Sequence, residues 1–209
     1  MAKLIIIGAG GHAKVVADCT AAAKHYNEIA FLDDGFPSHQ QHLAWPVIGK
    51  ISDWQAHADS TDFAIAIGNN KARLSLYQEL STAGQRLPNI IHPSAVISPY
   101  ASLGHGNVIF ANAIVNPGCK IANATIINTA ASIDHDCTLA DGVHVSPGTR
   151  LAGNVNVGKL SWLGIGSAVV QGIHIAENTQ TGAGAVVTQS TRANSLYVGI
   201  PAKPIKTID

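Results

Sequence analysis

This chain of 209 residues has few aromatic side chains, a formal net charge of zero and no long apolar run. No apolar run approaches the 18 or more residues of a membrane span, and the N-terminus is typical of a strand rather than of a secretion signal. The 13 basic and 13 acidic residues cancel, which argues against a nucleic-acid partner. These absences favour a cytoplasmic globular protein with neither a membrane nor a nucleic acid among its partners.

An aliphatic period of six residues dominates the C-terminal half of the chain. From Ile91 to Val187, 16 of the 17 residues at this spacing are Ile, Leu or Val, and only Thr181 breaks the series. A short strand plus a corner occupies about six residues, and three such sides close a triangular coil of about 18 residues. The period therefore predicts a parallel β-helix, and the aromatic content of 5% suits its narrow core.

Neither the cysteines nor the histidines show the spacing of a metal site. Cys119 and Cys137 lie 18 residues apart, so we expect them to stack on adjacent coils as small buried side chains. His92, His105 and His174 lie in the repeats but share no column. The sequence therefore predicts that no metal is bound.

The first 88 residues have a different pattern, in which apolar strands alternate with helices. Strands are predicted at 3–7, 28–32 and 62–67, and helices at 13–24 and 71–83. This order predicts an α/β domain over 1–88 with a short parallel sheet, similar to half of a Rossmann fold, followed by the β-helix domain over 89–209. A nucleotide-sugar ligand should lie at the carboxyl ends of the strands. The residues expected there are Gly10, Gly11, His12, Asp33, Asp34, Gly68 and Asn69.

The turn Gly8-Ala9-Gly10-x-x-Ala13 matches a dinucleotide-binding fingerprint, with Asp33 near the position of its ribose-binding acid. A nicotinamide dehydrogenase would need a second half-domain and a catalytic domain, and only the β-helix follows. A nucleotide or nucleotide sugar fits better, because glycines allow close backbone approach and helix amides attract phosphate. A purely structural turn stays open as a third interpretation.

Three segments carry a family resemblance that covers essentially the whole chain. They are KLIIIGAGGHAKVV from Lys3, the repeat IDHDC from Ile133, and the closing VGIPAKPI from Val198. Together they resemble the bacterial sugar acyltransferases of the sialic-acid and bacillosamine pathways, especially the UDP-4-amino-sugar N-acetyltransferases. The resemblance implies a left-handed β-helix, a homotrimer with active sites between subunits, acetyl-CoA as co-substrate and a UDP-linked amino sugar as acceptor.

The predicted chemistry centres on His135. This residue stands at a corner of its hexad, so its imidazole should project outward, where it can act as a general base. The resemblance implies that Asp136 assists it, with Asp134 as the alternative, that Asn128 supports it, and that His144 contacts the acetyl carbonyl. Because His144 follows half a coil later, we expect it to meet His135 only across a subunit interface.

The acetyl-CoA groove should lie C-terminal to His135, where glycines let a pantetheine arm lie close to the coils. The predicted contacts are His144, Gly164, Gly182 and Lys203, the last of these to a CoA phosphate. A conformational reason for the two glycines stays open.

These features predict an acetyl-CoA-dependent N-acetyltransferase for the 4-amino group of a UDP-linked deoxy sugar in surface glycan or glycoprotein synthesis. No acyl-enzyme is expected, because the only candidate nucleophile, Cys137, should point inward. Two alternatives remain. One is O-acetylation of a sugar or other hydroxyl acceptor, and the other is a non-catalytic nucleotide-sugar-binding protein.

Overall fold

The structure, a computed structural model, describes residues 2–59 and 61–208. The N-terminal strands are β1 (Lys3–Ile7), β2 (Glu28–Leu32), β3 (Gln41–His42), β4 (Trp45–Gly49) and β5 (Thr61–Ile65). They form one sheet in the order β3-β4-β2-β1-β5. The helices are α1 (Gly11–Ala23), α2 (Asn70–Thr82) and a 3-10 helix (Ile51–His57). No helix within the described ranges is long and apolar enough to cross a membrane.

The predicted short parallel sheet is confirmed by the parallel pairing of β1, β2, β4 and β5, and one short antiparallel strand is added at its edge. β1 is parallel to β2 and β5, but the short strand β3 runs antiparallel to β4. The turn between them places Leu43 at φ 53°, a conformation that usually calls for glycine or asparagine. Because the sequence has neither glycine nor asparagine at this turn, no local sequence feature predicts the β3–β4 hairpin.

Seventeen two-residue strands wind into a triangular coil between Ile90 and Val187. They are β6 (Ile90–Ile91), β7 (Val96–Ile97), β8 (Ser102–Leu103), β9 (Val108–Ile109), β10 (Ile114–Val115), β11 (Lys120–Ile121), β12 (Ile126–Ile127), β13 (Ser132–Ile133), β14 (Thr138–Leu139), β15 (His144–Val145), β16 (Arg150–Leu151), β17 (Asn156–Val157), β18 (Trp162–Leu163), β19 (Ala168–Val169), β20 (His174–Ile175), β21 (Gln180–Thr181) and β22 (Val186–Val187).

The coil has three sides, each a parallel sheet. Side 1 runs from β6 through β9, β12, β15 and β18 to β21, side 2 from β7 through β10, β13, β16 and β19 to β22, and side 3 from β8 through β11, β14 and β17 to β20. A closing hairpin of β23 (Ser195–Gly199) and β24 (Ala202–Thr207) extends side 1. The second residue of each strand points into the core, and the predicted aliphatic columns are confirmed.

Thr181, the exception to the aliphatic period, is 5% exposed. Its hydroxyl accepts a hydrogen bond that a strand carbonyl accepts elsewhere in the ladder. The amide of Gly164 donates to Thr181 Oγ1 at 2.8 Å, and the Thr181 hydroxyl lies 3.2 Å from Ser167 Oγ. The polar side chain is therefore satisfied inside the column, as a buried hydroxyl must be.

The N-terminal sheet packs on side 1 of the coil. Ala13 and Val16 of α1 share an apolar cluster with Val108, Phe110 and Ile126, whose side chains cover the outer face of side 1. This contact places the glycine-rich turn before α1 directly beside β15. The predicted boundary at residue 88 falls between the end of α2 and the start of β6, and it stays a prediction.

Arg73 of α2 joins the sheet to the coil by hydrogen bonds. Its side chain is 1% exposed, and all five of its N–H donors have oxygen acceptors. The acceptors are the carbonyls of Ala124 and Gly142 in the coil, the carbonyls of Ile67 and Gly68 after β5, and Oδ1 of Asn70, at 2.8–3.2 Å. One buried cation thus ties the loop after β5 and the start of α2 to two corners of the coil.

Replacing this guanidinium should be costly even when the charge is kept. In Arg73→Lys, three donors on one nitrogen cannot serve five acceptors spread around a planar fork, so buried carbonyls lose their partners. We expect the free energy of unfolding to fall by about 2–4 kcal/mol in urea denaturation. Arg86→Lys is the control, because the Arg86 side chain is 71% exposed. Equal losses in both variants would contradict the interpretation.

Candidate active site

His135 projects from the corner between sides 2 and 3, with its side chain 60% exposed. Its Nδ1 lies 2.9 Å from Oδ2 of Asp136. Because a carboxylate only accepts, Nδ1 carries the ring proton and Nε2 keeps a free lone pair. The hydrogen bond to Asp136, with the nearby charge of Asp134, raises the pKa of His135 above its usual value. The corner therefore presents a free, strengthened base at its surface.

Asp134 has a different role from Asp136. Its Oδ1 accepts from the backbone amide of His135 at 2.8 Å and from Nδ2 of Asn116 at 2.9 Å. These bonds lower the pKa of Asp134, the His135 amide being the larger cause. Asp136 is thus the carboxylate that contacts the imidazole, whereas Asp134 fixes the backbone of the corner.

Gly153 supports the ring of His135 from the next coil. It occupies the same corner one coil later, it is buried, and a Cβ at this position would overlap Nε2 of His135. Its backbone does not have positive φ, so the need for glycine here comes from the imidazole above it. Gly153 was not among the predicted residues, although its place 18 residues after His135 could have identified it.

His144 lies on side 1, away from the corner that carries His135. Its side chain is 7% exposed and stacks on Trp162, with ring centroids 5.2 Å apart. Its Nε2 is 3.3 Å from Nδ2 of Asn128, whose Oδ1 accepts from the amide of Thr129 at 2.9 Å. Within one chain, Asn128 therefore contacts His144, whereas the resemblance implied support of His135.

His12 brings the glycine-rich turn to the same place. Its ring centroid is 6.4 Å from that of His144 and 5.4 Å from that of Phe110. Burial is the main cause and the charge of Arg73 the second, and together they lower the pKa of His12 to about 4 and that of His144 to about 3. Both rings are therefore neutral near pH 7. Residues that the sequence assigned to two separate sites lie side by side.

A groove of about 410 Å³ runs along side 1 from His144 towards the end of the coil. Its lining comprises His144, Ser146, Pro147, Trp162, Gly164, Ile165, Gln180, Thr181 and Ala183. The indole Nε1 of Trp162 donates to Ser146 Oγ at 2.8 Å, which fixes the stacked ring. Trp162 was not among the predicted residues, because a single tryptophan in a repeat does not indicate whether it lies in the core, on the surface or in a groove.

The other predicted acetyl-CoA residues lie at or near this groove. Gly164 lines it, but a Cβ there would overlap the carbonyl of Thr181, so close packing alone requires a glycine. At Gly182, a Cβ would lie 2.8 Å from Cγ1 of Val198. Lys203 is exposed on β24 and does not line the groove. Packing therefore explains both glycines without a ligand.

The predicted nucleotide-sugar residues gather at the carboxyl edge of the sheet. Oδ2 of Asp33 accepts from the amide of Ala9 at 2.7 Å, and Oδ1 accepts from the amide of Gly35 at 2.8 Å. Asp33 therefore braces the glycine-rich turn. Gly10 and Gly11 are exposed with open space around them, which leaves their backbone accessible.

The remaining predicted residues of this edge belong to neighbouring loops. Asn69 caps α2 through its Oδ1, which accepts from the amide of Ala72 at 2.9 Å. The carbonyl of Gly68 accepts from Arg73. Asp34 is exposed, and its Oδ1 lies 3.3 Å from the amide of Ile51. Among residues 2–59 and 61–208, no group of three His, Cys, Asp or Glu side chains is arranged to hold a metal ion.

Comparison with known proteins gives one matching family model and several curated relatives. The family model of the PglD N-terminal domain matches residues 3–80. The UDP-N-acetylbacillosamine N-acetyltransferase of Bacillus subtilis is 33% identical over 113 residues, which are 53% of this chain and 52% of that protein. The chain thus spans about half the length of that curated relative.

Solved structures match over nearly the full length. The acetyltransferase domain of PglB from Neisseria gonorrhoeae has a TM-score of 0.95 at 39% identity, covering 98% of this chain and 100% of that chain. The same domain was solved with acetyl coenzyme A. PerB from Caulobacter crescentus, in complex with CoA and GDP-perosamine, has a TM-score of 0.92 at 36% identity, covering 99% and 98%. The coil is accordingly a left-handed parallel β-helix.

The histidines of the site should titrate at different pH values when their imidazole rings are followed by NMR. Between pH 8 and pH 5, we expect His135 to titrate with a pKa above 6.5, whereas His12 and His144 should stay neutral. An unfolded histidine binds a proton below about pH 6.5, so the two buried rings should make folding less favourable as the pH falls. His144 alone should cost about 2 kcal/mol at pH 5.

The resonances are assigned with His135→Ala, His12→Phe and His144→Phe. A His144 ring that gains a proton above pH 5.5 would contradict the burial argument. A His135 ring that titrates below pH 6 would show that Asp136 does not stabilise its charged form.

Proposed function

This chain belongs to the family of bacterial sugar N-acetyltransferases, and on that premise we propose that it transfers the acetyl group of acetyl-CoA to the 4-amino group of a UDP-linked deoxy sugar. The product would enter surface glycan or glycoprotein synthesis. The UDP carrier is proposed because the Bacillus relative is named for a UDP-linked acceptor. PerB was solved with a GDP-linked sugar instead, so the assay must compare both carriers.

The observation that carries the proposal is the arrangement of His135, Asp136 and Gly153. A general base needs a free lone pair, a correct tautomer and room for the reacting atom. The carboxylate of Asp136 fixes the proton on Nδ1, and the missing Cβ of Gly153 leaves the space that the ring itself occupies in this orientation. The 60% exposure of the side chain lets a substrate amine reach that nitrogen.

Acetyl transfer then follows in two steps. The neutral amine attacks the thioester carbon while Nε2 of His135 accepts a proton from nitrogen, and the carbonyl oxygen gains the negative charge. The tetrahedral intermediate collapses, the C–S bond breaks, and the imidazolium returns the proton to the leaving CoA thiolate. Asp136 stabilises the imidazolium between the two steps. No covalent enzyme intermediate forms, and the thiol of Cys137 is 0% exposed.

The groove on side 1 fits the proposed acetyl donor. It offers an apolar wall at Trp162 and Ile165 for the pantetheine arm, and polar groups at Ser146 and Gln180 for its amides. His144, at one end of the groove, is neutral and carries its proton on Nδ1, because Nε2 accepts from Asn128. The neutral ring can therefore line the acetyl end of the groove without adding a charge.

The proposed acceptor binds at the carboxyl edge of the sheet. The exposed backbone of Gly10 and Gly11 begins α1, whose free amides favour a diphosphate. Asp34 is exposed in the adjacent loop and is free to accept from a ribose hydroxyl or a base. The sugar itself would extend from this edge towards the coil.

The active site is proposed to be shared in a homotrimer. His135 stands at the corner between sides 2 and 3, whereas the groove lies on side 1, so one chain cannot place its own base at its own groove. Val96 and Ile114 on the outer face of side 2 are 63% and 37% exposed. Packing such a face against a second copy would remove apolar surface from water.

The first test measures thiol release from acetyl-CoA with DTNB. The acceptors are a UDP-linked 4-amino-4,6-dideoxy sugar, its GDP-linked counterpart and a UDP sugar that carries only hydroxyls. We expect release with the UDP-linked amine, and a fall in kcat/KM of about 10²–10⁴ in His135→Ala. His174→Ala is the control, because His174 is an exposed outward residue on side 3.

Other outcomes would support an alternative function or reject His135 as the base. Release with the hydroxyl sugar alone would replace N-acetylation by O-acetylation. Binding of the nucleotide sugar without any thiol release would indicate a non-catalytic binding protein. Full activity in His135→Ala would overturn the assignment of the base.

A second test adds one methyl group beneath the base. In Gly153→Ala, the new Cβ overlaps Nε2 of His135, so the imidazole must rotate away and lose its bond to Asp136. We expect kcat to fall by about 10²-fold or more while the thermal midpoint changes little. Gln171→Ala is the matched control, since Gln171 occupies the same corner one coil later. Equal activity in the two variants would argue against this geometry.

A further inference from the structure

The carboxylate of Asp136 lies against a glycine of the preceding coil. Its Oδ2 meets Nδ1 of His135, and its Oδ1 faces Gly118, where an added Cβ would overlap that oxygen and lie 3.3 Å from Cγ. Asp136 has φ 59°, so its side chain leaves the corner from a left-handed backbone. The missing side chain of Gly118 therefore provides the space in which this carboxylate reaches the imidazole.

The left-handed backbone of Gly118 is shared along the corner. Four successive coils have such a residue at this place, with φ between 57° and 76°, and they are Gly118, Asp136, Asn154 and Gly172. A Cβ on Gly172 would meet no heavy atom within 4 Å. The backbone conformation is thus common to the corner, whereas the contact with a carboxylate is particular to Gly118.

Asn116 fixes the second aspartate of the corner. Its Nδ2 donates to Oδ1 of Asp134 at 2.9 Å, and the amide of His135 donates to the same oxygen at 2.8 Å. In the described part of the chain, no hydrogen bond joins Asp134 to the imidazole. Ala152 and Val170 occupy the place of Asn116 two and three coils later, so the winding of the corner does not require an amide there.

A catalytic imidazole needs one carboxylate partner rather than two. One partner fixes the tautomer and stabilises the imidazolium as it forms, but a carboxylate at each ring nitrogen would stabilise the imidazolium before the amine arrives. A ring that already carries the proton cannot accept one from the substrate. Within one chain, the titratable groups that act on His135 are Asp134, Asp136 and the buried thiol of Cys119. The positions of the two carboxylates therefore set the proton affinity of the ring.

We propose that Asn116 and Gly118 are positioning residues that determine which of the two carboxylates pairs with the base: Gly118 admits Asp136 to Nδ1 of His135, and Asn116 keeps Asp134 off the ring. Neither residue touches the amine or the thioester, because each acts through an aspartate. The inference rests on the proposed function, since it gives roles to the neighbours of the proposed base.

The first test compares Gly118→Ala with Gly172→Ala. Both variants place a Cβ at a left-handed position of the same corner, so both should lower the thermal midpoint by a similar amount. Only Gly118→Ala displaces the carboxylate of Asp136. We expect kcat to fall about tenfold or more in Gly118→Ala and to stay within about twofold in Gly172→Ala, with little change in either KM.

The second test compares Asn116→Leu with Asn123→Leu. Nδ2 of Asn123 donates to Oδ1 of Asp141, also one coil later, at 3.0 Å and at a different corner. Both variants remove the same kind of bond, but only Asn116→Leu frees Asp134 to approach the ring of His135. We expect kcat near pH 7 to fall about tenfold in that variant alone. In an Asp134→Asn background, which lacks the second carboxylate, Asn116→Leu should change kcat by less than about twofold.

An NMR titration of His135 in the ligand-free protein separates the two roles. Loss of the bond to Asp136 should lower the pKa of His135 in Gly118→Ala, whereas the approach of a second carboxylate should raise it in Asn116→Leu. The acidic limb of the kcat–pH profile should move in the same two directions. A purely structural defect in both variants would not move the pKa in opposite directions.

The outcomes distinguish this inference from the proposed function. If the pKa of His135 is the same in both variants as in the unsubstituted protein, or if Gly172→Ala and Asn123→Leu lose as much activity as their counterparts, the positioning roles are overturned. If the unsubstituted protein releases no thiol with any amine acceptor, the proposed function falls. The NMR titration, which needs no substrate, still tests how the two carboxylates are placed.

Discussion

The buried guanidinium of Arg73 is the interaction on which the geometry of the site depends. A planar cation with five donors can hold four backbone carbonyls and one amide oxygen in fixed directions, which no other side chain can do. Two of those carbonyls belong to corners of the coil, and two to the loop that follows β5. If the sheet shifted along side 1, the buried guanidinium would therefore lose hydrogen-bond partners.

The same charge sets the protonation of the residues around it. Burial and the positive field of Arg73 keep His12 and His144 neutral, so both can donate and accept hydrogen bonds near pH 7. His135 stands outside that field, beside two carboxylates, and its pKa moves the other way. One protein thus holds two classes of histidine, because burial disfavours the imidazolium while Asp136 stabilises it.

The features that depend on the six-residue repeat were predictable from the sequence, whereas the features that depend on one side-chain contact were not. A period of six residues fixes the aliphatic columns, the outward face of His135 and the stacking of Cys119 on Cys137, because a slip would expose every column at once. The β3–β4 hairpin was missed, since Leu43 adopts a left-handed conformation without a turn residue. Arg73 looked like an ordinary helix-surface residue, and only the packed structure shows it 1% exposed. The contact of Asn128 with His144 likewise depends on a side-chain direction that no pattern specifies.

The proposed base lies on a corner of the coil, whereas the groove lies on a side. His135 projects away from its own prism, so the proposed base and the proposed donor groove of one chain do not constrain each other's geometry. Two contacts must then hold their shape, the proposed contact between copies and the contact between each sheet and its own coil. In the proposed trimer, the first contact brings His135 to the groove of another subunit, and the second, through Arg73, sets where the acceptor sugar enters. Catalysis would then depend on two docking surfaces that meet at His144.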